Sequence, residues 1–312
     1  MKLLIADDGS DCAKAALDDL RRAGLPKKAQ AIVVSVADVW IPITEKYLNP
    51  FEEAAAIAQQ AGARVRSYFP DWEVSSEALS GSPARAIIEK ADAWQPDLII
   101  VGSHGRSALG QLLLGSVSQK IATEANCSVH IARPKLLSET LPVRILLAFD
   151  GSLDANEAVQ RIAERLWPSK SEIRVIAVLP PRLSTTPLLP WTPEQIKTRE
   201  ADARKWMEGQ VAAAVESLQI SGCVVSTVIT EGNPMRVLLD EASGWGADCI
   251  FIGARGHHRL ERFLLGSVAT ALISRAPCTV EIVRAGQTVY LNQNVPSAFH
   301  RGIVEPSTTT PA

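Results

Sequence analysis

Apolar residues along this chain fall into short runs, and amphipathic stretches separate them. Leu3–Asp7 reads as a short buried strand. Across Asp11–Arg22 the apolar Ala13, Ala16, Leu17 and Leu20 recur at helical spacing. Ala31–Val36 predicts a second strand, rich in β-branched residues. Phe51–Ser67 predicts a helix, Trp72–Leu79 a strand, and Pro83–Trp94 a helix with proline in its first turn. Asp97–Val101 is a fourth strand, Ser116–Glu124 a helix and Ser128–Ala132 a last strand. Strands that alternate with helices predict an α/β fold, a parallel sheet covered on both faces.

The pattern then repeats. Residues 1–10 read MKLLIADDGS and residues 143–152 read VRILLAFDGS, an offset of 142 that carries Asp8 onto Asp150. Further along the offset is 151. It carries Gly102-Ser-His-Gly105 onto Gly253-Ala-Arg-Gly256, Leu113–Val117 onto Leu264–Val268, and Cys127 onto Cys278. The second copy therefore holds nine extra residues between its second and third strands, and the proline-rich stretch 180–190 accounts for them in this reading. Two long copies mean a duplicated domain, with residues 1–138 and 139–285 as the two units. Residues 286–312 lack periodicity and are expected to form a flexible extension.

Composition narrows the function. A chain of 312 residues fits two ordinary domains. A net charge of −2 lacks the basic excess of a nucleic-acid binder. The five cysteines show no CxxC spacing, so they read as small buried hydrophobes in a reducing compartment. The opening turns acidic too soon for a signal peptide, and no apolar run approaches a membrane span. A cytoplasmic protein without a membrane or nucleic-acid partner is expected.

The candidate chemistry lies in two loops. Gly102-x-x-Gly105, nine residues and Gly115-Ser116 follow the fourth strand of the first copy. Gly253-x-x-Gly256, nine residues and Gly266-Ser267 do the same in the second. Ligands of open parallel sheets bind beyond the carboxyl ends of the strands. Glycine lets the backbone approach a ligand closely. Free amides at a helix start, with the helix dipole, favour an anion such as phosphate. Ser116 and Ser267 are expected as helix N-caps, as are Ser10 and Ser152. One GxxG alone would say little, since it often only tightens a turn.

The doubled Gly-x2-Gly-x9-Gly-Ser resembles the nucleotide-binding signature of the ATP-binding branch of the universal stress proteins. The openings through Asp8-Gly-Ser10 and Asp150-Gly-Ser152, and the segments Cys127-Ser-Val129 and Cys278-Thr-Val280, resemble the same family. The resemblance implies two tandem, doubly wound, five-stranded parallel sheets in strand order 3-2-1-4-5, adenine nucleotide alpha hydrolase-like. It implies ATP as ligand, with Mg²⁺ or Mn²⁺ held indirectly near Asp8 and Asp150 through the phosphates. It implies adenine at Val36 and Val178, ribose at Gly102 and Gly253, and phosphates at Gly105, Gly115 and Ser116 and at Gly256, Gly266 and Ser267. It implies pairing of the halves through their last strands, with a further homodimer possible, and a regulatory role with an unknown protein partner.

Other chemistries find no footing. There is no GxxxxGK[ST], no GxGxxG after a strand, no HExxH and no GxSxG. No general base is positioned, so hydrolysis would be slow at most. A second reading remains, a dimerisation scaffold with vestigial loops. Asp7, matched by Phe149, is expected to face away from Asp8. Arg255, Arg259 and Arg262, with His257 and His258, predict a tighter phosphate grip in the second copy, whose first-copy counterpart offers Arg106 and His104.

Overall fold

The runs form strands and the amphipathic stretches form helices in the predicted order. A computed structural model describes residues 1–38, 49–105, 114–133, 140–179, 192–256 and 265–286. The first half runs β1 (Lys2–Ala6), α1 (Asp11–Asp19), β2 (Gln30–Ala37), α2 (Pro50–Tyr68), β3 (Glu73–Ser80), α3 (Pro83–Trp94), β4 (Leu98–Gly102), α4 (Ser116–Glu124) and β5 (Ser128–Ala132). The second runs β6 (Arg144–Ala148), α5 (Leu153–Ala163), β7 (Glu172–Leu179), α6 (Pro193–Leu218), β8 (Val224–Glu231), α7 (Pro234–Trp245), β9 (Cys249–Gly253), α8 (Ser267–Arg275) and β10 (Thr279–Val283). The C-terminal extension beyond residue 286 lies outside the described residues.

Local chemistry sets the helix starts. Ser10 and Ser152 cap α1 and α5 by accepting from the amides of Ala13 and Ala155. Thr192 and Gln195 form a capping box on α6, with Pro193 in its first turn. One expectation fails here. α6 has 26 residues against 19 in α2, so most of the nine extra residues lengthen that helix and not the proline-rich stretch. Residues 180–191 themselves lie outside the described set.

Each half has the strand order 3-2-1-4-5, all parallel. The two join into one ten-stranded sheet, β3-β2-β1-β4-β5-β10-β9-β6-β7-β8. The join is antiparallel, with Val280 opposite Ile131, Glu281 opposite His130 and Ile282 opposite Val129. On one face the core under α3, α4, α7 and α8 runs unbroken through both halves. On the other, α1 and α2 cover one core and α5 and α6 a second.

The seam is ionic at its centre. Glu281 is fully buried and accepts from Arg165 Nη2 (2.5 Å) and from His130 Nδ1 (2.9 Å). Burial pushes its carboxyl up, but the Arg165 charge and the His130 hydrogen bond outweigh that and hold it down at about 2. Arg165 also donates to the carbonyl of Ala23 (3.0 Å). Gly24, at φ +66°, is required beside it. A Cβ there would stand 3.0 Å from Arg165 Cβ and from the Trp167 ring.

Candidate functional site

Both glycine loops sit at the carboxyl ends of their sheets, where β1 meets β4 and β6 meets β9. Gly102 ends β4 and Gly253 ends β9. Gly253 lies tight against α5: an added Cβ would be 2.9 Å from Asp154 Cβ and 3.1 Å from the Ala155 nitrogen. Gly102 has more room, with Cys12 Sγ at 3.5 Å.

Each loop closes on itself through the backbone. Gly115 donates to the Ser103 carbonyl and Gly266 to the Ala254 carbonyl, both at 2.8 Å. That closure moves the helix start. Gly115 and Gly266 take the N-cap position in extended conformation, and Ser116 and Ser267 are the first helical residues instead of the caps. Being glycine, neither N-cap residue supplies a side-chain cap. First-turn amides are those that a helix leaves without internal partners, and a bound anion can accept from them.

The aspartates after the first strand of each half converge on these loops. Asp8 Oδ1 accepts from the Ser10 amide (3.0 Å) and Asp150 Oδ1 from the Ser152 amide (2.9 Å). A Cβ at Gly105 would stand 2.8 Å from Asp8 Oδ2, and one at Gly256 would stand 2.8 Å from Asp150 Oδ2. Glycine at these positions lets carboxylate and loop share one space. Asp8, Gly102, Gly105, Gly115 and Ser116 thus come together, as do Asp150, Gly253, Gly256, Gly266 and Ser267. Val36 and Val178 stand on the neighbouring strands β2 and β7, half-buried against the continuous core. The site fits a phosphate ester by its donors and its bare backbone. Among the described residues no cluster of three His, Cys, Asp or Glu could bind a metal directly.

A model of the Universal stress protein family matches residues 1–133 and 143–284. The chain belongs to the universal stress protein family. A universal stress protein of Thermus aquaticus is 33% identical over 136 residues, 42% of this chain and 97% of that one. One from Mycobacterium bovis is 25% identical over 225 residues, 68% of this chain and 69% of that one. The crystal structure of a universal stress protein from Archaeoglobus fulgidus shares the fold, with a TM-score of 0.61 and 22% identity over 92% of this chain and 97% of that chain.

The two sites of this universal stress protein differ beside the loops. In the second, Asp154 is buried and accepts from Arg255 at the backbone nitrogen (3.0 Å), Nε (2.9 Å) and Nη2 (3.1 Å), and from the Ala285 amide (2.8 Å). Arg255 is thereby turned into α5, which removes it from the cations expected to favour phosphate there. Arg106, His257, His258, Arg259 and Arg262 lie outside the described residues. In the first site Cys12 replaces Asp154 and His104 replaces Arg255. Cys12 Sγ lies 3.8 Å from Ser103 Oγ, which contacts His104 Nδ1 at 2.8 Å. The joint exchange of Cys12 and His104 for Asp154 and Arg255 between the copies is the sequence signal for this clamp.

Asp7 continues the inward alternation of Leu3 and Ile5 towards α1 and α2. It is buried, and Asp8 is half-buried on the other face. Its Oδ1 accepts from the Gly9 amide (2.6 Å), while its Oδ2 has no hydrogen-bond partner among the described residues. Burial pushes its carboxyl up. Phe149 fills the matching place in the second half as plain core. Of the described helices, none is long and apolar enough to cross a membrane.

Proposed function

We propose that this universal stress protein binds an adenine nucleotide, ATP, at the carboxyl end of each half of its sheet, as a regulator in the stress response. One observation carries the reading. The same cradle of an aspartate against a bare glycine loop at a helix start occurs in both halves, with the same 2.8 Å clearance at Gly105 and at Gly256. In this reading Gly105, Gly115 and Ser116, with their second-half counterparts Gly256, Gly266 and Ser267, hold the phosphates. Gly102 and Gly253 face the ribose, and Val36 and Val178 the adenine. Mg²⁺ or Mn²⁺ travels on the phosphates and reaches Asp8 or Asp150 through them, which offsets the repulsion between carboxylate and phosphate. Occupancy alters the loop surface offered to a protein partner, and any hydrolysis is slow. All five thiols are free of disulfides, which suits a reducing cytoplasm.

The test is direct. Purified protein is denatured, and the supernatant is resolved by ion-exchange chromatography; ATP binding is then measured by calorimetry in the presence of Mg²⁺. Nucleotide in the supernatant, or a saturable binding heat, supports the reading. No nucleotide and no heat at millimolar ATP would leave a dimerisation scaffold of the same fold.

A further inference from the structure

The offset of 151 also relates two arginines, Arg133 and Arg284. Each directly follows the last strand of its own half, and each reaches across the seam. Arg284 donates from Nη2 to the Ala122 carbonyl (2.6 Å) and from Nη1 to the Cys127 carbonyl (3.0 Å). Arg133 donates from Nη2 to the Ile273 carbonyl. The same offset relates Ala122 to Ile273. These carbonyls lie in the last turns of α4 and α8, among those that a helix leaves without an internal donor.

α4 and α8 are the helices that start at the glycine loops. Each has nine residues, a length of about 13 Å. A cation at the C-terminal end complements the helix dipole and fixes the axis. α4 has no basic residue in its own last turn, so Arg284 supplies that charge from the other half. Both arginines are locked in place by their backbones. The Arg284 amide donates to Ser128 Oγ (3.1 Å) and the Arg133 amide to Thr279 Oγ1 (3.0 Å). Burial lowers the Arg284 guanidinium to about 10, which leaves it charged at neutral pH, and burial lowers that of Arg133 as well. The pair is unequal. Arg284 holds two carbonyls, whereas Nη1 of Arg133 is buried and has no hydrogen-bond partner among the described residues. Arg284 also adjoins Ala285, whose amide shares Asp154 with Arg255 of the second loop.

We propose that each arginine is a positioning residue for the opposite half. Arg284 sets the anion grip of the first domain and Arg133 that of the second, with Arg284 the stronger of the two. The proposal rests on the nucleotide reading for its ligand and on cross-domain contacts for its mechanism, and the two can fail separately.

The test uses the full chain with Arg284→Gln, Arg133→Gln and the milder Arg284→Lys. Hydrogen exchange is read without nucleotide in peptides spanning 114–125 and 265–276. Arg284→Gln is expected to speed exchange in the α4 peptide about 3- to 10-fold and leave the α8 peptide within about twofold. Arg133→Gln does the reverse, less strongly, and Arg284→Lys gives a partial effect. Titration with Mg²⁺ and ATP, read as protection of residues 102–116 and 253–267, should show Arg284→Gln raising the half-saturating ATP several-fold for the first loop alone. Equal loosening of both helices, an unchanged α4, or a shift confined to the second loop overturns the proposal. If ATP protects neither loop of the unaltered chain, the nucleotide reading fails, and α4 exchange alone judges the positioning role.

Discussion

Glu281 and His130 occupy the same position in the two halves, and they face each other across the antiparallel join at 2.9 Å. Arg165, two residues past the end of α5, completes the group. In a symmetric pair of identical domains this position would face its own copy. Here it holds an acid and an imidazole.

Removal of the Glu281 charge should weaken the seam. Glu281→Gln is expected to cost about 3 kcal/mol at neutral pH, because it leaves Arg165 buried without its counter-charge. The pH dependence has a definite sign. The folded-state carboxyl is held at about 2, below its ordinary 4.5, so its contribution is present above 4.5 and is lost as pH falls towards 2. Urea unfolding from pH 6 to pH 2 should show this loss in the unaltered chain and a flatter profile in Glu281→Gln.

Asp7 should behave in the opposite way. Its carboxyl is raised by burial, so its ionised form destabilises the fold as pH rises through the folded-state value. Asp7→Asn is expected to stabilise the protein by about 1 kcal/mol at pH 7. The gain should vanish below about 3.8, where both states are protonated. Paired urea titrations at pH 7 and pH 3.5 measure it, and an equal difference at both pH values contradicts the assignment.

The Asp154 clamp gives a third measurement. Asp154→Ala removes the acceptor of Arg255 and Ala285 and leaves a half-buried guanidinium. A loss of about 3 kcal/mol is expected, with faster amide exchange at residues 253–256. Cys12→Ala in the matching place should change stability by about 1 kcal/mol or less, since the thiol makes a weak 3.8 Å contact to Ser103 where Asp154 makes an ion pair.

The glycine loops can be blocked one at a time. Gly105→Val and Gly256→Val each place a branched side chain where a Cβ already meets an aspartate oxygen at 2.8 Å. Each should weaken ATP binding in its own half at least about tenfold, roughly 1.4 kcal/mol, while the other half keeps its affinity. Calorimetry should resolve one weakened and one unaltered site in either variant. Unchanged affinity in both would remove the loops from the binding site.

Most of the fold was legible because its signals are local. Pro83 fixes the start of α3, and the strand expected over Asp97–Val101 forms as β4, Leu98–Gly102. The duplication added what one copy could not, a register for every element. Residue type alone points to Ser116 as the cap. The Gly115 amide bonds back to Ser103 and ends the turn one residue earlier. The Asp154–Arg255 clamp spans 101 positions, and the Arg284–Ala122 bond spans 162, so no local periodicity could announce them. The length of α6 hid behind a proline-rich stretch that looked like an insertion.

The fusion of two sheets at β5 and β10 has an evolutionary side. When two separate copies meet about a two-fold axis, any substitution at the axis happens twice, and a residue must tolerate its own rotated copy. One continuous polypeptide is released from that constraint. Glu281 can settle opposite His130, an acid opposite a base, because each gene position now alters a single side.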